Sequence, residues 1–234
     1  MPASRRLTRI TIVEDHTLFA EALDVALTLQ GYDVHRPAPS EHARPSHERL
    51  LAEILRSRPR ILLLDLHLGH GLHGVPLIRP CSEAGIAVVV VTGSLDPGGW
   101  GECLVHGALT VLPKSTPLNS ILATIRRIRE GRTVLPREER ARLVDEFRTL
   151  RKQQAESRTR LASLTARERE ILAQMMEGRQ VRQIAQDFVV SEATVRTQVK
   201  SILAKLGVSS QLAAVGMALR TRTPDVDTHY CGEG

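Results

Sequence analysis

"ILLLD", at residues 61–65, decides the fold of the first half of the chain, because an apolar run of strand length ends there in one carboxylate. Short apolar runs of the same kind occur at 10–13, 86–92 and 109–112. The stretch "YDVHR" at 32–36 can supply a further strand. Together these runs predict five strands of a sheet that is buried on both faces.

Helical patterns alternate with these runs. They occupy residues 16–31, 47–58 and 117–131, and a weaker helix is expected near 97–107, where glycines and a proline lower the helix propensity. Strands that alternate with helices are typical of parallel βαβ units. We therefore expect a doubly wound, five-stranded α/β domain over residues 1–134.

The second half of the chain is helical in pattern. Residues 137–160 are highly charged, contain no glycine or proline, and predict a surface helix within a helical linker over 135–160. One apolar stripe follows this helix, formed by Leu143, Phe147 and Leu150. The stripe is compatible with packing against its own domain and with a dimerising helix.

Residues 161–222 follow the pattern of a helix-turn-helix domain. Thr165 and Glu168 form a capping box that begins one helix. A short second helix is expected at 181–188, and Ser191 caps a third helix after a tight connection. We expect an all-α domain here, followed by a flexible tail at 223–234.

The positive charge of the chain is concentrated in this helical region. The whole chain of 234 residues has a formal net charge of +6. Residues 158–222 alone hold 11 Lys and Arg against 5 Asp and Glu. A short basic segment of this kind favours an anionic partner such as nucleic acid.

Cysteine usage and hydropathy favour a cytoplasmic protein. The cysteines are odd in number and widely spaced, at Cys81, Cys103 and Cys231, which argues against a disulfide framework or a zinc motif. No apolar run approaches the roughly 20 residues that a membrane-spanning helix needs. We therefore expect no membrane partner.

Five polar side chains are predicted at one edge of the sheet. The first strand ends in Glu14 and Asp15, the third in Asp65, the fourth in Thr92, and Lys114 follows the last. The carboxyl ends of parallel strands meet at one edge, where functional groups gather. Clustered carboxylates repel one another unless a cation joins them, and Mg²⁺ prefers such oxygen ligands. An ionised aspartate beside such an ion can attack a phosphoryl group.

Two parts of the chain resemble known domains. Residues 8–131 resemble the receiver domain of bacterial two-component response regulators, which has a flavodoxin-like fold. The motifs that carry this resemblance are "IVEDHTLF", "LLLDL", "VVVTGS" and "LPKS". Residues 161–220 resemble the LuxR-type helix-turn-helix, through "LTARERE", "IAQDFVVSEATVRTQVKSILAKLGV" and "QLAAV". The chain thus looks like a response regulator of the NarL/LuxR family.

The resemblance implies a role for each residue at the sheet edge. Asp65 would accept a phosphoryl group from a partner histidine kinase, with Thr92 and Lys114 beside that group. The implied Mg²⁺ ligands are Glu14, Asp15, Asp65 and the main-chain carbonyl of His67. The sequence departs from the family at Val111, where an aromatic residue is usual, and at Gly69, where proline is usual. These departures leave open a pseudo-receiver that acts without phosphorylation or responds to another signal.

The third helix of the second domain is the predicted DNA-reading helix. Arg196 and Lys200 can donate to guanine edges, and the Thr197 methyl group can contact a thymine methyl. Phosphate contacts are expected from Thr194, Gln198 and Lys205. The resemblance further implies a homodimer on an inverted repeat, formed through a last helix whose apolar residues are Leu212, Val215 and Leu219.

Two other functions compete with this interpretation. His67, His70 and His73 recur every three residues and could form the metal site of a metal-sensing repressor. A phosphatase of the haloacid-dehalogenase type also uses an aspartate after an apolar strand. Such enzymes need a second aspartate two residues later, where this chain has His67.

Overall fold

The computed structural model describes residues 7–37, 46–94 and 96–222. The chain divides into two compact units, Met1–Arg148 and Thr149–Gly234. This division lies inside the predicted linker. The predicted tail at 223–234 is outside the described residues.

The first unit contains a five-stranded parallel sheet in the order β2-β1-β3-β4-β5. The predicted doubly wound α/β fold is therefore confirmed. The strands are β1 (Arg9–Val13), β2 (Asp33–His35), β3 (Ile61–Leu64), β4 (Ala87–Thr92) and β5 (Thr110–Pro113).

A helix follows each strand of this sheet, and one long helix comes after the last of these helices. They are α1 (Thr17–Leu29), α2 (His47–Ser57), α3 (Val75–Glu83), α4 (Pro97–Val105), α5 (Leu118–Arg129) and α6 (Arg137–Ala162). The α4 helix forms despite its glycines, because the Asp96 carboxylate caps it by accepting from the N–H groups of Gly98 and Gly99.

The sheet is buried on both faces, as the apolar runs predict. Successive side chains of a strand point to opposite faces. Leu62 and Leu64 thus pack with α3, α4 and the start of α6, whereas Ile61 and Leu63 pack with α1 and α5. Two separate hydrophobic clusters hold the carboxyl ends of the strands at one edge.

The first half of α6 packs against its own unit. Leu143 is buried in the cluster beside α3 and α4. The Arg140 guanidinium donates to the Leu104 carbonyl at 2.8 Å and to the Ala108 carbonyl at 3.0 Å. Of the predicted apolar stripe, Leu143 therefore belongs to the core of its own unit, whereas Leu150 is 42% exposed.

The second unit is the helical bundle that the sequence predicts. It contains the end of α6 and helices α7 (Ala166–Met176), α8 (Val181–Asp187), α9 (Glu192–Leu206) and α10 (Gln211–Arg222). The α8–α9 pair has helix-turn-helix form. Thr165 and Glu168 make the predicted capping box, and Ser191 caps α9 through the Thr194 N–H.

Within the described ranges, no single helix is long and apolar enough to cross a membrane. Helices α9 and α10, which are bent by 58° between Leu206 and Gln211, pass that test together on length and composition alone. Both helices place apolar residues in the core of the second unit.

The turn between α8 and α9 holds a β-branched residue in a left-handed conformation. Val189 has φ +55° and is 90% exposed. The left-handed region costs a non-glycine residue roughly 1–2 kcal/mol, and asparagine tolerates it better than valine does.

We predict that Val189→Asn stabilises the second unit by about 1 kcal/mol, because it relieves the strain and loses little buried surface. Amide hydrogen exchange in α9 should slow about fivefold. Val190→Asn is the matched control, since Val190 has no positive φ and is more buried, and this change should speed exchange. Equal effects of the two substitutions would contradict the prediction.

Candidate functional site

The structure brings together the acidic residues and the lysine predicted at the sheet edge. Carboxylate oxygens of Glu14, Asp15 and Asp65 all lie within 4.8 Å of one another. The Lys114 ammonium is 2.7 Å from Glu14 Oε1 and 2.8 Å from Asp65 Oδ2. Thr92 ends the neighbouring strand and is fully buried. The parallel topology explains this convergence, because four different strands end at the same edge.

Asp65 is held more tightly than an ordinary loop aspartate. Its side chain is only 2% exposed. Its main-chain N–H donates to the Val13 carbonyl at 2.9 Å, which continues the β1–β3 pairing by one residue. Its Oδ1 accepts from the Leu66 N–H at 2.6 Å, and its Oδ2 accepts from Lys114. One carboxylate oxygen is thus oriented by the backbone and the other by the Lys114 ammonium.

The pKa values of Glu14 and Lys114 are both raised, for different reasons. Burial raises the pKa of Glu14, and the charge of Asp65 adds to that effect, while hydrogen bonds from Lys114 and the His16 N–H oppose it. Desolvation lowers the pKa of Lys114, but the hydrogen bonds and charges of Asp65 and Glu14 outweigh it, so the net shift is upward. Lys114 therefore remains a cation, and an additional cation would favour the ionised form of Glu14.

The loop after Asp65 is built against that residue. A Cβ atom at Gly74 would overlap the main-chain carbonyl oxygen of Asp65, so only glycine fits this approach. The Gly74 N–H donates to the Leu66 carbonyl at 2.8 Å. Any side chain at position 74 would push the loop away from Asp65.

The histidines occupy this loop without forming a three-histidine centre. His67 and His73 form an antiparallel bridge, and their rings meet edge to face with centroids 5.3 Å apart. Within the ranges that the structure describes, the acidic cluster is the only group of three or more potential metal ligands. The hydrogen bonds on either side of this bridge run from the Gly74 N–H to the Leu66 carbonyl and from the Leu68 N–H to the Leu72 carbonyl. The His67 carbonyl is therefore not an acceptor in the bridge.

Helix α9 has one buried face and one polar face. Val195, Val199 and Ile202 are buried in the core of the second unit. Arg196 and Lys200, two of the predicted base-reading residues, are exposed. The third, Thr197, is also exposed; its hydroxyl donates to the Ala193 carbonyl at 3.0 Å, which leaves its methyl group for contacts.

The residues predicted to contact phosphates differ in their surroundings. Thr194 is exposed and its hydroxyl is 2.9 Å from the Ser191 hydroxyl, while Gln198 is half-buried. Lys205 donates to Glu168 Oε2 at 2.7 Å, which leaves the other N–H groups of its ammonium for a phosphate.

Glu168 is a buried acid, and the sequence pattern predicted only part of its role. Besides the capping box, it accepts from the Ser201 hydroxyl at 2.8 Å and from Lys205. The hydrogen bond from Lys205, followed by that from the Thr165 N–H, lowers the pKa of Glu168 to about 2. The capping box identifies Glu168 in the sequence. No local pattern connects it with Ser201 and Lys205, which lie 33 and 37 positions later in the chain.

Comparison with known proteins agrees with both units. The family model described as "Bacterial regulatory proteins, luxR family" matches residues 162–218. The probable transcriptional regulatory protein NarL of Mycobacterium tuberculosis is 29% identical over 219 residues, which are 93% of this chain and 96% of that protein. Residues 162–218 therefore belong to the luxR family of bacterial regulatory proteins, and the chain as a whole is similar to NarL-type transcriptional regulators. Members of this family are regulators rather than dedicated enzymes.

Further relatives match this response regulator over nearly its whole length. The transcriptional regulatory protein LnrK of Bacillus subtilis is 27% identical over 220 residues, which are 92% of this chain and 97% of LnrK. Among solved structures, the RcsB response regulator of Salmonella typhimurium is 19% identical with a TM-score of 0.47, covering 92% of this chain and 98% of that one.

We predict that Glu168→Gln destabilises the second unit of this response regulator near neutral pH. The pKa of Glu168 is lowered from 4.5 to about 2 on folding, so its contribution is present above pH 4.5 and is lost as the pH falls towards 2. Calorimetry of the full chain should show a deficit at about pH 7 that shrinks at about pH 3. Glu170→Gln, which removes an exposed carboxylate, should show neither effect. A deficit that is independent of pH would contradict the prediction.

Proposed function

We propose that this response regulator is a cytoplasmic transcription factor whose DNA binding is switched when a partner histidine kinase phosphorylates Asp65. The observation that carries the proposal is the Lys114 ammonium bridging buried Asp65 and Glu14 inside a cluster of three carboxylates. One lysine cannot neutralise three carboxylates. The negative charge left over at this edge is charge that a divalent cation would neutralise, and such an ion would also offset the charge of an incoming phosphoryl group.

The donor set fits Mg²⁺, which prefers carboxylate and carbonyl oxygens. The residues that would hold it are Glu14, Asp15, Asp65 and the main-chain carbonyl of His67. When bound, the ion supplies positive charge to the phosphoryl oxygens during transfer. The His67 carbonyl takes no part in the bridge to His73, and a nearby cation would favour the ionised form of Glu14, which burial disfavours.

The chain's own groups account for the transfer step. A carboxylate oxygen of Asp65 attacks phosphorus, the bond from phosphorus to the donor's imidazole nitrogen breaks, and the electron pair leaves with the imidazole. Leu66 N–H keeps the carboxylate in place through Oδ1. Lys114 and the Thr92 hydroxyl would then donate to phosphoryl oxygens. Attack of water on the phosphorus of the resulting aspartyl phosphate would break its bond to the Asp65 oxygen, release inorganic phosphate and restore the carboxylate.

The exposed face of α9 is the proposed DNA-reading surface. Arg196 and Lys200 donate to guanine edges in the major groove, and the Thr197 methyl group contacts thymine. Thr194, Gln198 and Lys205 contact phosphates, with Lys205 also retaining Glu168. The exposure of Arg196, Thr197 and Lys200 beside a fully buried opposite face supports this division.

Two exposed apolar surfaces fit the proposed protein partners. On α10, Leu212 is 83% exposed and Leu219 is also exposed, which suits pairing of two copies on an inverted repeat. Val215 instead packs against the core of its own unit. On α1, Leu18, Val25 and Leu29 form an exposed stripe that begins three residues after Asp15, near the proposed phosphoacceptor, which suits the kinase.

A pseudo-receiver that works without phosphate is the second candidate, and Val111 favours it. Val111 stands three residues before Lys114, is buried, and cannot swing between pockets as an aromatic ring can.

Asp65→Asn discriminates the two candidates. With acetyl phosphate and Mg²⁺, we expect the native chain to gain the mass of one phosphoryl group in an acid-labile form, and Asp65→Asn to gain none. Chelating Mg²⁺ should abolish the gain in the native chain. Asp145→Asn removes an exposed carboxylate on α6 and should leave labelling unchanged. Native protein that stays unlabelled but still binds DNA would establish the pseudo-receiver.

Arg196→Ala tests the DNA-reading surface. The loss of a bidentate contact should cost about 1–3 kcal/mol and relax specificity at one base pair. Binding is measured on a duplex that the native protein selects from a random-sequence pool. Arg142→Ala removes an equal charge from an exposed part of α6 and should change affinity little. Unchanged affinity and specificity in Arg196→Ala would refute the assignment.

A further inference from the structure

Val111 stands where the family usually has an aromatic residue. Val111 lies on β5 in the hydrophobic cluster that also holds Cys103, Leu104 and Ala108. Its short branched side chain has one preferred rotamer and no polar atom. A change at Asp65 must therefore reach the rest of the protein by another route.

Trp100, the only tryptophan in the chain, is connected to the proposed phosphorylation site. Its indole Nε1–H donates to the Ser94 carbonyl at 3.0 Å. The Ser94 N–H in turn donates to the Thr92 hydroxyl oxygen at 3.1 Å. One residue, Ser94, thus connects the hydroxyl predicted to bind the phosphoryl group with the first turn of α4.

The neighbouring side of α4 contacts α6. A Cβ atom at Gly101, the residue after Trp100, would overlap the Leu143 carbonyl oxygen and crowd Phe147. Arg140 of α6 donates to two carbonyls at the end of α4 and just beyond it. Trp100 itself packs against the cluster that includes Leu143. The two helices are in such close contact that α4 cannot shift without moving α6 or losing these contacts.

We propose that Trp100 is the positioning residue that passes the state of Asp65 to α6, in place of an aromatic residue on β5. This inference rests on the proposed function. When the Thr92 hydroxyl turns to a phosphoryl oxygen, its hydrogen bond from the Ser94 N–H changes. Because the Ser94 carbonyl accepts from the indole N–H, the indole then shifts with Ser94, and α4 moves against α6.

Trp100→Phe is the decisive variant, because it keeps an aromatic ring in the cluster and removes only the indole and its N–H. The full chain is labelled at Asp65 with acetyl phosphate and Mg²⁺, and its affinity for the selected duplex is measured before and after labelling. We expect the native protein to gain about tenfold in affinity. Trp100→Phe should be labelled at the native rate and gain less than about twofold. Tyr32→Phe, a change to a buried ring on the other face of the sheet, is the matched control and should behave as the native protein.

Fluorescence gives a second readout, since Trp100 is the only tryptophan and its indole can be excited selectively over the two tyrosines. Beryllofluoride with Mg²⁺ mimics the phosphoryl group and should change this emission. The change should be absent in Asp65→Asn and in Thr92→Ala, which lacks the hydroxyl.

Each other result has one meaning. Native-like gain of affinity in Trp100→Phe, or loss of its labelling, overturns the relay. The same emission change in Thr92→Ala as in the native chain also overturns it, as does a native protein that is labelled but gains no affinity. A native protein that is not labelled at all overturns the proposed function instead.

Discussion

The contact between Lys114 and the carboxylates of Asp65 and Glu14 is the interaction on which the proposed chemistry depends. Lys114 lies 49 positions from Asp65 and 100 positions from Glu14 in the chain. The contact therefore exists only because β1, β3 and β5 end at one edge. That edge is formed by strands buried on both faces, where an unpaired charge is costly. The ammonium offsets part of this cost, yet the three carboxylates keep an excess of negative charge that a metal ion can satisfy.

The second unit contains a similar pair with a different outcome. Glu168 is buried like Asp65 and also accepts from a lysine, Lys205. It further accepts from the Ser201 hydroxyl and the Thr165 N–H, so its oxygens are well supplied with donors. A carboxylate in these surroundings stabilises the bundle and has little capacity for chemistry. Asp65 accepts from Lys114 and the Leu66 N–H but lies beside Glu14 and Asp15, so negative charge stays in excess at its site. This difference separates a structural acid from a candidate phosphoacceptor.

Sequence reasoning predicted four of the strands from apolar runs of four to seven residues, which suit buried strands, and the fifth from "YDVHR" at 32–36. It also placed Glu14, Asp15, Asp65, Thr92 and Lys114 at one edge, since parallel topology fixes where strands end. It did not predict α3, because Pro80 argues against a helix interior, and burial of Leu77 and Ile78 outweighs this cost. The bonds from Ser201 and Lys205 to Glu168 had no local signal, because side-chain pairing across helices depends on how the bundle packs.

The glycines of α4 bear on how a signal can leave the first unit. Glycine lowers helix propensity by about 1 kcal/mol per residue relative to alanine, so α4 depends on its cap and on its contacts. Gly101 permits the close approach of α6, and the indole of Trp100 connects the helix to the loop after β4. A helix with weak intrinsic stability and strong contacts on two sides can respond when one contact changes. A valine at position 111 is compatible with such an arrangement, because the moving part lies on α4 and the strand beside it has no need to move.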